Sequence, residues 1–120
     1  AEYVDPEVVS GWYLLTLEAH LVAKFAALVD RPDSEKGAKD AREVLALITS
    51  NVDAGKTIEI LIRASELEPT EIPAQIELIF SLIPDRVRAN KDLRKLLHNL
   101  RRQWVDEAER QVRRLENPVN

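Results

Sequence analysis

An all-α fold, a compact bundle of four or five helices, is what this sequence predicts, and three observations predict it. Apolar residues recur at spacings of three and four through most of the chain. Aromatic residues make up only 5% of the 120 residues and glycine occurs three times, which argues against a β-sandwich or a disordered chain. Prolines 32, 69, 73 and 84 fall at the junctions of the periodic stretches. The length suits one helical domain with its own core and leaves no room for a catalytic domain beside an accessory one. Within it, residues 1–16 read as a strand or linker segment, 17–83 as a four-helix core and 84–120 as a long basic C-terminal helix.

Each element has its own warrant. Val8, Val9, Trp12, Tyr13, Leu14 and Leu15, with Gly11 among them, are β-branched or aromatic enough for one short N-terminal strand to compete with an early helix start. Thr16, followed by Glu18, suits an N-cap, so a first helix is expected over 17–29 with Leu17, Leu21, Ala23, Lys24 and Leu28 inward and Phe25 beside them. Pro32 stops it, and after the polar turn at 31–37 Ser34 can cap a second helix over 37–50, with Asp40 near its positive end and Ala41, Val44, Leu45, Leu47 and Ile48 apolar. Asp53 offers the cap of a third helix, 54–67, burying Ile58, Leu61, Ile62 and Leu67. A fourth, 73–83, is apolar almost all round and is expected near the bundle centre. Asn90 then caps a long amphipathic helix, 91–116, with Leu93, Leu96, Leu97, Leu100, Trp104, Ala108, Val112 and Leu115 on its inner face.

Composition excludes several functions. With no cysteine and two histidines far apart, neither a disulfide nor a structural zinc site is expected, and the site holds no metal of its own. No apolar run approaches the roughly 18–20 residues that span a bilayer, and the first residues lack a signal-peptide pattern, so a cytoplasmic protein without a membrane partner is expected. The absence of methionine points to a piece of a longer chain. Charge is segregated: residues 1–85 carry seven basic and 16 acidic groups, and residues 86–120 carry ten basic and five acidic within a net charge of −4. The basic part should attract either the acidic remainder or a polyanion.

Catalytic signatures are few. Gly55-Lys56-Thr57 imitates the end of a phosphate loop, but the upstream glycine is missing and Asp53 looks like a helix cap. The stretch 19–48 is richer, since Lys24, Arg31, Asp40 and Glu43 recur on otherwise apolar helices. A lysine held among apolar neighbours is a fixed positive charge that can face a phosphate, and an acid near a helix start can orient a hydroxyl. The same four residues also suit an ordinary helix pair, with Lys24 and Asp40 forming an ion pair across it.

HLVAKFAALVDRP followed by KGAKDAREVLALI resembles the helical C-terminal region of minimal and abortive-infection (AbiEii-like) nucleotidyltransferases, over residues 11–48. The resemblance implies that Lys24 and Arg31 contact a nucleoside triphosphate and that Asp40 and Glu43 are the acids of the catalytic cleft. It also implies magnesium and a triphosphate as ligands of the parent, an N-terminal catalytic domain or partner chain to supply the metal-binding aspartates absent here, and a toxin–antitoxin setting. A second reading comes from residues 86–102, with seven basic residues and one acid: RNA or DNA docks on Arg94, Arg101 and Arg102, beside Trp104. A third is a helical module that binds another protein.

Overall fold

The computed structural model describes residues 16–31 and 35–116, and every regular element among them is helical. Helices α1 (Leu17–Asp30), α2 (Glu35–Ile48), α3 (Ala54–Ala64), α4 (Ile72–Arg86) and α5 (Lys91–Glu116) follow one another, with a 3-10 turn at Pro69–Glu71 leading into α4. The chain thus adopts the all-α bundle its periodicity predicts. The expected strand before Thr16 and the cap at Ser34 lie outside the described residues.

Three helix starts follow the predicted chemistry. Thr16 accepts from the Ala19 amide at 3.3 Å, Asp53 from Lys56 at 3.0 Å and Asn90 from Leu93 at 2.8 Å. Each side chain satisfies a first-turn amide that has no partner within the helix. Several ends differ from expectation. Helix α2 runs two residues earlier at both ends, over 35–48 instead of 37–50. The hydroxyls of Thr49 and Ser50 turn back onto Leu45 O and Leu47 O at 2.8 and 2.7 Å and close its last turn. Helix α3 stops at Ala64, where Ser65 accepts from the Leu67 amide at 3.3 Å and bends the chain. Helix α4 continues through Pro84 to Arg86 because a proline in the last turn forfeits only one ladder bond.

The core is assembled from all five helices. Leu21, Phe25 and Leu28 of α1 meet Val44 and Ile48 of α2, Ile58 and Leu61 of α3, Ile76, Ile79, Phe80 and Ile83 of α4, and Leu97, Trp104 and Ala108 of α5. Helix α4 packs on α5, α2 and α1, which places it centrally. Trp104 sits against Phe25 edge-on, with centroids 6.0 Å apart and planes at 79°, and against Phe80 at 6.0 Å and 54°. Phe25, expected at the margin, is therefore at the middle. Conversely, Leu17, Leu96 and Leu115 are exposed by 49%, 44% and 55%, and Ala23 is also exposed. Periodicity marks an apolar arc, but only the part that a neighbouring helix covers is buried.

Three polar contacts tie distant elements together. Glu18, itself buried, accepts from the Asp53 amide at 2.8 Å and adds a second carboxylate to the start of α3. Arg86 donates to Leu28 O at 2.8 Å, placing a cation at the C-terminal end of α1. Gln111 donates to Gly55 O at 2.8 Å and to Glu107 Oε2 at the same distance, joining α5 to α3. The first two contacts hold α1 in place, and α2 packs against it and α4 through Ala41, Val44 and Ile48.

Candidate functional site

Helices α1 and α2 form a hairpin across which the four charged residues meet in pairs. Lys24 Nζ lies 2.7 Å from Glu43 Oε1, with side-chain exposures of 26% and 38%. One end further along, Arg31 Nε lies 3.4 Å from Asp40 Oδ2, with exposures of 45% and 6%. The pairing differs from the Lys24–Asp40 partnership that spacing suggests, since Lys24 takes Glu43 and Asp40 takes Arg31. With α2 starting at Glu35, Asp40 stands in its second turn and turns into the helix pair instead of onto the helix N-terminus.

Neither ion pair is a well-directed hydrogen bond, since Asp40 Oδ2 and Glu43 Oε1 both lack a hydrogen-bonded partner of good geometry. At 2.7 Å the Lys24 ammonium is nonetheless in direct charge contact with Glu43, and distance outweighs angle for a compact, rotatable ammonium. That contact, with smaller help from Lys39 and His20 against the opposing cost of desolvation, holds the Glu43 carboxyl below its ordinary value of 4.5. Glu43 is the reachable carboxylate of the pair of acids, and Asp40 is the covered one.

The charged face is open surface. Recessed spaces lie between α3 and α5 around Gly55, Ile62 and Gln111, between α1, α3 and α4 around Phe25, Leu61 and Ile79, on the start of α2 around Glu35, Lys39 and Arg42, and between α4 and α5 around Phe80, Arg94 and His98, and none is lined by Lys24, Arg31, Asp40 or Glu43. Among the described residues no group of three His, Cys, Asp or Glu side chains could hold a metal ion, and no helix is long and apolar enough to cross a membrane. Gly55-Lys56-Thr57 forms the first turn of α3, with the Thr57 hydroxyl donating to Asp53 O at 2.8 Å, a helix-start arrangement. No family model, curated protein or solved structure matches this chain.

The basic helix separates into two classes of cation. Arg94 bridges to Asp85 at 3.1 Å and donates from Nε to Ala89 O at 3.1 Å, and Arg101 approaches Glu77 at 3.8 Å and His98 Nδ1 at 3.3 Å. Both lean onto α4. Arg102 is exposed and belongs to none of the six ion pairs among the described residues. Lys91 and Lys95, which residue counting does not single out, are exposed and outside those ion pairs in the same way. Their signal was available in the 100° advance per residue of a helix, which puts both on the side of Arg102. Trp104, adjacent in sequence, is buried in the core.

Proposed function

We propose that this chain is the helical accessory part of a nucleotidyltransferase-like protein, and that its α1–α2 face closes over a nucleoside triphosphate bound by a catalytic domain elsewhere in the protein or in a partner chain. The supporting observation is that Lys24 meets Glu43 and Arg31 meets Asp40 across the α1–α2 pair, with Lys24, Arg31 and Glu43 part-exposed on one face and Asp40 covered beneath Arg31. An open charged face becomes a binding site only when a second surface covers it, and the catalytic domain is that surface. Magnesium, held by the catalytic domain, would offset charge on the phosphates.

Lys24 is the group that reaches the nucleotide. Glu43 keeps its ammonium extended at the rim, and a phosphate oxygen can replace that carboxylate with little loss of charge compensation. Released from Lys24, Glu43 loses the contact that lowers its pKa, becomes the stronger base for it, and is then free to accept a proton from an attacking hydroxyl. Arg31 offers a second, half-exposed cation, and Asp40 beneath it acts as a positioning residue.

The test is nucleotide transfer from labelled triphosphates by the protein together with its native upstream sequence. Lys24→Ala and Glu43→Gln are each expected to lower the rate by at least about tenfold, the usual scale for a lost charge or acid–base group. Because a part-exposed ion pair contributes about 1 kcal/mol or less, both variants should stay folded. Unchanged rates in both would remove the assignment.

A further inference from the structure

The cations of α5 that are not spent on α4 form a separate surface. Lys91, Lys95 and Arg102 are exposed at positions i, i+4 and i+11, and His98 lies between the last two. At 100° and 1.5 Å per residue these four side chains leave the helix within an arc of about 60° and cover about 16 Å of its length. Arg88 is exposed on the turn just before the helix and holds a left-handed backbone at φ 53°. None of Arg88, Lys91, Lys95 and Arg102 is among the ion-paired groups of the described residues. The exposed His98 lies within the arc, its Nδ1 3.3 Å from the Arg101 guanidinium. Asp92 lies about 100° round the helix from Lys91, and Asp106 and Glu109 end the strip.

We propose that this strip is a docking surface for the phosphate backbone of a nucleic-acid duplex. The occupant follows from what the strip contains and what it lacks. A protein partner would need an apolar centre within the patch, but no apolar residue lies in this arc, and the exposed Leu96 is about 140° away from Lys91. Single strands are held by aromatic side chains that stack on bases, and the one aromatic of α5, Trp104, is buried against Phe25 and Phe80. A straight row of cations on a rigid helix, with few groups able to read a base edge, suits the regular charge of a duplex and carries no sequence preference. Arg94 and Arg101 serve this surface by holding α5 on α4 through Asp85 and Glu77. The proposal is independent of the nucleotide reading, which concerns α1 and α2.

Fluorescence anisotropy of labelled DNA and RNA duplexes of about 20 base pairs, titrated with the chain between about 50 and 200 mM salt, tests it. Binding is expected at low salt with a log–log salt slope of about −3 to −4, the release from three or four neutralised phosphates. The two duplexes tell which nucleic acid is preferred. The triple variant Lys91→Glu, Lys95→Glu, Arg102→Glu should lose at least about tenfold in affinity and flatten the slope. The charge-matched variant Arg110→Glu, Arg113→Glu, Arg114→Glu, on the other half of the same helix, should bind like the parent. Absence of binding at the lowest salt, parental binding by the first variant, or an equal loss in the second overturns the proposal.

Discussion

Replacing Trp104 by alanine should be the most damaging single change to the domain. The indole is 3% exposed and is the one side chain of α5 in ring contact with both α1, through Phe25, and α4, through Phe80. A buried tryptophan removes about 150–250 Å² from water, about 4–6 kcal/mol at 25 cal/mol per Å². Partial collapse of the cavity and residual burial in the unfolded chain bring the expected loss to about 3–5 kcal/mol. A domain of this size has a total stability on the order of 5–15 kcal/mol, so the variant stays measurable but close to its threshold. Urea unfolding followed by far-UV circular dichroism is the suitable assay, because the second tryptophan, Trp12, would confuse a fluorescence signal. Leu96→Ala on the same helix is the control, since Leu96 is 44% exposed and its truncation should cost about 0.5 kcal/mol or less. A loss below about 1 kcal/mol for Trp104→Ala, or equal losses at the two positions, would refute the packing argument.

The hairpin and the helix ends give further expectations. Because Lys24 lowers the Glu43 pKa in the folded state, the pair stabilises the fold above pH 4.5, and that contribution disappears as pH falls through the lower folded value. Thermal melts of the parent and of Glu43→Gln should therefore differ by a constant amount near neutral pH and converge in acid, whereas a pH-independent difference would show that the carboxylate is unpaired. Arg86→Met keeps most of the stem but removes the donor to Leu28 O, for an expected loss of about 1.5–3 kcal/mol in urea unfolding. A loss under about 0.5 kcal/mol would mean that water replaces the guanidinium without penalty.

Residues whose role is settled within one helical turn are legible in the sequence itself. Thr16, Asp53 and Asn90 cap helices because each has an amide three residues ahead, a relation that depends on nothing outside its own segment. The long α5 is legible to both ends for the same reason, since its apolar stripe repeats without a break. Pro84 misleads at the end of α4: its missing amide is a real loss, but the packing of Phe80 and Ile83 against the core holds the last turn through it. Leu17, Leu96 and Leu115 mislead in the opposite sense, having the right period on parts of the helices that no neighbour covers.

For the charged residues the division is similar. The sequence by itself determined that the chain is helical, where most helices begin, and that Lys24, Arg31, Asp40 and Glu43 cluster on one hairpin while basic groups cluster on the last helix. Only the tertiary structure decided that Lys24 faces Glu43 and Arg31 faces Asp40, that Arg94 and Arg101 are held by α4, and that Lys91, Lys95 and Arg102 remain exposed. The reason is physical: a cap or an apolar stripe is fixed by neighbours three or four residues away, whereas the partner of a charge depends on how one helix is rotated and slid against the next. That rotation is set by the summed packing of the whole core around Phe25, Phe80 and Trp104, which no single segment contains.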